Sequence, residues 1–205
     1  FQALDAAGKD GTIKHVMTGL NPQGVSVSSF KVPSVEELSH TFLWRYTQHL
    51  PERGMIGIFN RSYYEEVLVV RVHPEYLAPQ KLPAKKFDGK FWSDRYEDIN
   101  AYERHLVRNG TEIVKFFLHI SKDEQKRRFL ERIETPEKNW KFSAADLKER
   151  KLWNEYEQAF EDALSATSTR EAPWYIIPAD NKWMMRALVA SILAAKIQGL
   201  HLKHP

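Results

Sequence analysis

The residues best suited to chemistry begin with a short loop near the start of the chain, residues 4–12 (LDAAGKDGT). Apolar residues precede the loop and a helical run follows it, so a strand, a small-residue loop and a helix N-terminus come in succession. Such a unit binds anions, because its backbone N–H groups point inward and the helix dipole adds positive charge. Lys9 can reach the outer phosphates of a bound polyanion as a point charge. The other residues expected to bind phosphate are Ala6, Ala7, Gly8, Gly11 and Thr12.

This loop matches the usual P-loop pattern G-x-x-x-x-G-K-[ST] only in part. Ala3 replaces the first glycine, and Asp10 replaces the Ser or Thr that would hold Mg²⁺. The metal ligand must then come from elsewhere. Asp5 inside the loop is the natural candidate, because hard cations prefer carboxylate oxygens. The alternative reading is a tight strand–helix turn with a surface lysine.

A second cluster follows an apolar strand in residues 55–66 (MIGIFNRSYYEE). Asn60 at the strand end can orient water or phosphate, and Arg61 can stabilise charge on a transferring phosphoryl group. Glu65 and Glu66 lie about one helical turn further on, so at least one of them can turn back toward a metal. The alternatives are a surface ion pair for Arg61 and a solvent-facing position for either glutamate.

Residues 122–151 form a basic segment with ten Lys or Arg against seven Asp or Glu, an excess as large as the +3 of the whole chain. Two helical stretches flank residues 135–143 (TPEKNWKFS), an arrangement that suits a mobile lid over strand ends. A basic face would provide counter-charge for a polyanion. The candidates are Arg127, Arg128, Arg132, Lys138 and Lys141. A salt-bridged, solvated helical hairpin is the alternative.

Apolar runs that alternate with amphipathic stretches predict an α/β fold with a mainly parallel sheet. Strands are expected at residues 1–3, 25–30, 55–60, 112–120 and 174–178. Helices are expected from a capping box at Ser34 through Tyr46, from 96 to a stop at Gly110, from a capping box at Ser121 to about Ile133, and at 144–167 and 182–198. A long, proline-rich loop is expected at residues 74–90.

Composition narrows the possible functions. The chain has 205 residues, of which 42% are hydrophobic and 28% charged, typical of a globular protein. It has no cysteine, which excludes a disulfide scaffold, a thiol nucleophile and cysteine-ligated metal sites. No apolar run approaches the length needed to span a bilayer. We therefore expect a cytoplasmic protein with no membrane or nucleic-acid partner.

Five motifs in this sequence together resemble the polyphosphate kinase 2 family. They are DAAGKDGT at 5–12, FNRSYYEEVLVVRVH at 59–73, HISKDEQ…R…ER at 119–132, WKFSAADL at 140–147 and APWYIIPADNK at 172–182. The resemblance implies one P-loop kinase domain over residues 1–205, similar to thymidylate kinase. Its mainly parallel five-stranded sheet would be flanked by helices, with a lid at about 122–151. It also implies an N-terminal extension and a fuller first strand before Phe1.

The resemblance implies reversible, Mg²⁺-dependent phosphoryl transfer between polyphosphate and AMP or ADP, which gives ADP or ATP. Guanine nucleotides stay open as substrates. The Asn-Arg-Ser motif and the glutamate pair resemble the subclass that acts on both AMP and ADP. Asp5, Lys9, Asn60, Arg61 and Glu66 would be catalytic, with Asp5 and Glu66, or alternatively Glu65, holding the metal. A homodimer or homotetramer is also implied.

Two other functions compete with this one. An ATP-dependent nucleoside monophosphate kinase would share the loop and lid, although it usually keeps a Ser or Thr where Asp10 stands. A non-catalytic polyanion-binding protein would need only the basic lid, but the carboxylates of Asp5 and Glu66 would then repel its ligand. The histidines at 15, 73 and 119 are interpreted as structural or surface residues.

Overall fold

The computed structural model describes residues 1–83 and 86–202. Within these residues, every pair of hydrogen-bonded strands is parallel. The strands are β1 (Gln2–Ala3), β2 (Val25–Ser29), β3 (Ile56–Asn60), β4 (Lys115–His119) and β5 (Trp174–Pro178). Strands β1, β4 and β5 form one sheet in the order β1-β4-β5, and β2 pairs with β3 in a second. The α/β class and the five strand positions agree with the sequence-based expectation.

The single five-stranded sheet predicted from the sequence is replaced by sheets of three and two strands. Phe1 connects them: its backbone nitrogen donates to Phe59 O at 2.9 Å, and the Arg61 N–H donates to Phe1 O at 3.1 Å. This is the pattern of a parallel pair centred on one residue. A contact of one residue joins the sheets without forming a ladder, and it brings the ends of β1 and β3 side by side.

Nine α-helices and four 3₁₀ helices connect the strands over the described part of the chain. The α-helices are α1 (Lys9–Val16), α2 (Val35–Leu38), α3 (Trp44–Thr47), α4 (Val69–Val72), α5 (Gly89–Arg108), α6 (Lys122–Glu134), α7 (Ala144–Lys151), α8 (Trp153–Thr167) and α9 (Lys182–Gly199). The 3₁₀ helices are Pro22–Gly24, Tyr63–Glu66, Pro74–Gln80 and Pro136–Lys141. Positions 84 and 85 of the expected long loop lie outside the described residues.

Two predicted helices are each divided in two. The capping box at Ser34 is present, but α2 ends after Leu38, where the Ser39 hydroxyl donates to Glu36 O at 2.7 Å. Serine side chains often compete for helical backbone groups in this way. The expected helix over 144–167 breaks at Leu152, whose N–H donates to Glu149 O in a tightened turn.

A buried ion pair lies in the core between α5 and β4. Lys115 Nζ is 2.6 Å from Glu103 Oε2, and their side chains are only 5% and 1% exposed. The hydroxyls of Tyr63 and Tyr64 donate to the other Glu103 oxygen at 2.8 and 2.9 Å. Lys115 also donates to Thr167 O at the end of α8. Burial raises the pKa of Glu103, while the Lys115 charge opposes that shift.

We expect Lys115→Met to lower the free energy of unfolding by about 3–5 kcal/mol, because it leaves a buried carboxylate without its counter-charge. Urea denaturation followed by circular dichroism measures this change. Lys196→Met is the matched control: Lys196 pairs with Glu112 at 3.0 Å, but both side chains are about a third exposed. The control should lose no more than about 1 kcal/mol. Equal losses in the two variants would contradict a special role for the buried pair.

Candidate active site

The ends of β1 and β3 bring four of the predicted site residues together. Arg61 Nη2 lies 3.9 Å from Asp5 Oδ1, and Arg61 Nη1 lies 3.4 Å from Glu65 Oε2. Lys9, at the start of α1, donates to Ala3 O at 3.1 Å. Parallel strands present their carboxyl ends at one edge, where ligands of open α/β sheets bind. Two cations and two carboxylates therefore share this edge.

The backbone around this cluster is strained. Gly8 has φ of 101°, which glycine adopts at little cost, but Ala6 and Arg61 also have positive φ values of 61° and 66°. A left-handed residue other than glycine costs roughly 1–2 kcal/mol. Such residues concentrate at functional sites, where the surrounding structure holds them. Here, strained positions lie on both segments of the cluster.

Burial and like charge shift the pKa values of the cluster. Burial lowers the pKa of Lys9, the nearby Arg61 charge lowers it further, and Glu65, Asp5 and Asp10 oppose the shift. Burial raises the pKa of Glu65, opposed by the charges of Arg61 and Lys9. The charged form of Lys9 is thus less stable than in water. An anion bound beside Lys9 would stabilise that charged form again.

Asn60 connects β3 to the first turn of α1. Its side-chain amide donates to Asp10 Oδ1 at 2.6 Å and to Ser29 Oγ at 3.4 Å. Asp10 is the residue that departs from the usual P-loop pattern, so its carboxylate is held by an amide at this point. An aspartate at position 60 would instead place two carboxylates in contact.

Glu66 lies on a different cavity from Asp5. It accepts from Gln80 at 2.8 Å and from Arg95 Nη1 at 3.3 Å, and it is 5% exposed. It lines a cavity of about 570 Å³, together with the aromatic residues Phe42, Phe91 and Tyr102. Asp5 and Glu66, predicted to hold a metal together, therefore lie on different cavities in the structure. Glu65 is the glutamate beside Asp5, Lys9 and Arg61.

A smaller cavity of about 150 Å³ opens beside the loop of residues 4–12, the phosphate-type loop. Asp5, Arg61 and Glu65 line it as expected, but so do polar residues without a predicted binding role, among them His73, Gln125, Glu149 and Tyr156. Gln125 donates to Asp5 O at 3.0 Å, which holds α6 against the loop. His73 and Gln125 lie within the motifs at 59–73 and 119–132, but only the tertiary fold brings all four residues to the cavity.

The remaining loop residues support the loop rather than face the cavity. Thr12 is fully buried, and its hydroxyl donates to Gly8 O at 2.9 Å inside α1. Gly11 packs near the Arg186 guanidinium, where an added Cβ would lie 3.5 Å from Nη2. Ala6 and Ala7 present their carbonyl oxygens to Arg128 at 2.9 Å.

The other basic candidates of the 122–151 segment pair within that segment. Arg127, 60% exposed, forms two 2.6 Å hydrogen bonds to Glu124. Lys138 pairs with Glu131. Arg132 lies 3.3 Å from Asp146 and donates to Lys141 O. Lys141 Nζ lies 5.0 Å from the ring centre of the exposed Trp140. The salt-bridged alternative therefore describes much of this face.

The donor set at the smaller cavity suits a hard cation. Asp5 is about a third exposed and lies near Glu65, and Mg²⁺ is usually held by one or two carboxylates plus phosphates and water. Within residues 1–83 and 86–202, no group of three or more His, Asp or Glu side chains is arranged to hold a metal. Asp5 and Glu65 are the pair that fits the ion.

His73 connects the body of the protein to α7. Its Nε2 lies 2.8 Å from Glu149, its Nδ1 lies 3.1 Å from Glu75, and the Tyr156 hydroxyl also donates to Glu149 at 2.7 Å. Burial alone would lower the pKa of His73, but the hydrogen bonds and charges of Glu149 and Glu75 raise it above 6.5. His15 and His119 are exposed, as expected for surface residues.

The stability that His73 contributes should depend on pH. A raised pKa in the folded state stabilises the protein fully below pH 6.5, and this contribution is lost as pH rises through the raised value. We expect His73→Gln to be less stable than wild type by about 1–2 kcal/mol at pH 6, with the gap closing as pH increases. Urea denaturation from pH 6 to 9 measures the gap. His105→Gln, at an exposed position on α5, should show no such trend. A gap independent of pH would exclude the charged contact.

The fold and this site define an α/β protein in which the strand–loop–helix unit after β1 and the segment after β3 bring a lysine, an arginine and two carboxylates together at one sheet edge. Of the described helices, none is long and apolar enough to cross a membrane. Comparison with known proteins extends this description. The family model for polyphosphate kinase 2 (PPK2) matches residues 1–205, so the chain belongs to that family of phosphotransferases. The family resemblance of the motifs is thereby confirmed.

Similar proteins carry matching names. The chain is 58% identical over its whole length to an ADP-polyphosphate phosphotransferase of Rhodopseudomonas palustris, of which it covers 71%. It is 50% identical to an AMP/ADP-polyphosphate phosphotransferase of Meiothermus ruber, of which it covers 73%. The chain also superposes over its whole length on the crystal structure of polyphosphate kinase 2 from Arthrobacter aurescens, with a TM-score of 0.92 and 44% identity. It covers 68% of that chain.

Proposed function

We propose that this protein transfers phosphoryl groups reversibly between inorganic polyphosphate and AMP or ADP, with Mg²⁺. The observation that carries the proposal is the convergence of Lys9, Arg61, Asp5 and Glu65 beside a phosphate-type loop. The names of the relatives in R. palustris and M. ruber support the donor and the acceptor. The strand–loop–helix unit is, in this proposal, that of a P-loop kinase similar to thymidylate kinase.

The chain's own residues supply positioning and charge. The terminal phosphate of polyphosphate lies beside Lys9 and Arg61, whose cations stabilise the negative charge on the equatorial oxygens during in-line transfer. The acceptor is a nucleotide phosphate, which is already ionised near pH 7, so no general base is required. Asp5 and Glu65 would hold Mg²⁺, which neutralises phosphate charge when bound.

The larger cavity is the proposed site of the acceptor nucleotide. Its volume of about 570 Å³ falls in the usual range for small-molecule sites, whereas the 150 Å³ cavity would hold only a few phosphate groups. Phe42 and Phe91 flank the Arg95 guanidinium at 4.9 Å, and aromatic walls suit a nucleobase. Glu65 and Glu66 are adjacent in the chain and line different cavities, so the two proposed substrate sites are neighbours.

Residues 122–151 are the proposed lid. Helices α6 and α7 with the intervening 3₁₀ helix bring Gln125, Glu149 and Arg150 to the wall of the smaller cavity. Closure over the phosphates would exclude water from the transfer reaction. The surface ion pairs of Arg127 and Lys138 are individually weak. Their partners can therefore be exchanged for phosphate groups at low cost.

We expect Lys9→Ala to reduce transfer from polyphosphate to ADP by about 10²–10³-fold, because it removes a cation that stabilises the transferring group. The assay measures ATP formed from ADP, Mg²⁺ and polyphosphate. Lys14→Ala, at an exposed position of the same helix, is the matched control and should keep wild-type turnover. Full activity in Lys9→Ala would contradict the site assignment.

The same assay with ATP as donor and AMP as acceptor tests the alternative enzyme. Transfer from ATP but not from polyphosphate would make the protein an ordinary nucleoside monophosphate kinase. Binding of polyphosphate without transfer to any nucleotide would instead favour the polyanion-binding protein.

A separate variant tests the acceptor cavity. Phe42→Ala should raise the KM for ADP by about 10-fold through loss of aromatic contact, with the KM for polyphosphate unchanged. Steady-state kinetics with each substrate varied in turn measures both constants. Trp183→Ala removes an aromatic residue that is 77% exposed and lies outside both cavities, and it should change neither KM. An equal rise in both KM values for Phe42→Ala would argue against a dedicated nucleotide cavity.

A further inference from the structure

Arg128 of α6 makes an unusually complete set of contacts within the protein. It is 4% exposed, and its Nε lies 2.7 Å from Glu124 Oε1. Its Nη1 donates to the carbonyls of Ala6 and Ala7, both at 2.9 Å. Its Nη2 donates to the carbonyls of Ala179 and Asp180 at 2.6 and 3.1 Å. One side chain thus joins α6, the phosphate-type loop and the segment between β5 and α9.

These contacts use all the hydrogen-bonding capacity of the side chain. A guanidinium has five N–H donors, and each of the five acceptors named here takes one. A phosphate bound by Arg128 would have to displace a buried carbonyl or carboxylate. Arg128 is therefore unlike its neighbour Arg127, which is exposed and pairs with carboxylates of its own helix.

The contacts with Ala6 and Ala7 set the direction of the loop. In a planar trans peptide, the carbonyl of one residue and the N–H of the next point in opposite directions. Because the Ala7 carbonyl faces the guanidinium, the Gly8 N–H faces away from it. The Ala7 N–H, which opposes the Ala6 carbonyl, closes a turn to Leu4 O at 3.3 Å. Arg128 thus determines which groups of the loop are offered to an anion.

The loop conformation also needs support from outside. Ala6 has φ of 61° and Gly8 of 101°, and a strained residue persists only when surrounding contacts over-determine it. Arg128 binds the carbonyls of two consecutive peptide groups, Ala6–Ala7 and Ala7–Gly8. The same guanidinium also donates to the carbonyls of Ala179 and Asp180 after β5, so the loop is held against the sheet.

We propose that Arg128 is a positioning residue that holds the phosphate loop in its anion-binding conformation, rather than a residue that contacts the substrate. The proposal rests on the proposed function for its kinetic consequences. Its structural content, a loop whose order depends on one arginine, stands without it.

Arg128→Lys separates the two roles. Lysine keeps the positive charge and can bind phosphate as a point charge, but its single ammonium cannot reach acceptors on both loops. As a positioning residue, Arg128→Lys should lose about 100-fold in kcat/KM for polyphosphate while it still unfolds in one cooperative urea transition, at a lower midpoint because buried carbonyls lose a donor. Arg104→Lys makes the same exchange at an exposed position of α5 and should keep wild-type kinetics.

Amide hydrogen exchange gives a second readout, which does not depend on activity. In Arg128→Lys, exchange should accelerate at least several-fold more in residues 4–12 than in residues 112–120 of the central strand region. An equal acceleration in both segments would mean a general loss of stability alone and would overturn the positioning role. Glu124→Gln weakens the hold on Nε without altering Arg128, so it should accelerate exchange in residues 4–12 to a smaller extent.

Retention of at least half of the wild-type kcat/KM in Arg128→Lys, or unchanged exchange in residues 4–12, would overturn the proposal. Failure of the proposed function has a different signature: the wild-type protein would then transfer nothing from polyphosphate. The exchange measurement would still decide whether Arg128 orders the loop.

Discussion

The buried pair of Lys115 and Glu103 is the contact on which the site most depends. It lies under the 3₁₀ helix Tyr63–Glu66, and two consecutive tyrosine hydroxyls reach down to the same carboxylate oxygen. Burying two charges is costly, and the cost is offset only where the geometry and the extra hydrogen bonds are good. Three groups around Glu103, the Lys115 ammonium and the two tyrosine hydroxyls, meet that condition, so the short segment that carries Glu65 and Glu66 has a rigid base.

This rigid base explains how adjacent residues serve different cavities. Tyr63 and Tyr64 point into the core, so the backbone that follows them has little freedom to rotate. Glu65 lines the small cavity beside Asp5, whereas Glu66 turns to Arg95 and Gln80 at the large one. A donor phosphate and an acceptor nucleotide bound in these cavities would lie against two residues that are adjacent in the chain. Their alignment would then come from the core.

Local patterns in the sequence predicted the parts of the fold that depend on local physics. The strand at Trp174–Pro178 lies where the apolar run placed it, and the N-cap bonds of Ser34 and Ser121 are present. The sequence could not predict which of Glu65 and Glu66 lies beside Asp5. The two residues belong to a 3₁₀ helix whose orientation is set by tertiary contacts, so α-helical spacing does not describe it. The contacts of Arg128 were also out of reach, since four of its five acceptors are backbone carbonyls far away in the chain.

The charges of the site favour an anionic ligand. Burial disfavours the charged form of Lys9, and the nearby Arg61 charge adds to that cost. The carboxylates of Asp5 and Glu65 compensate only in part, since the pKa of Lys9 is still lowered. A carboxylate that binds a divalent cation no longer offers its negative charge to Lys9. Phosphate groups must then supply that charge, so metal and polyanion would favour each other's binding at this edge of the sheet.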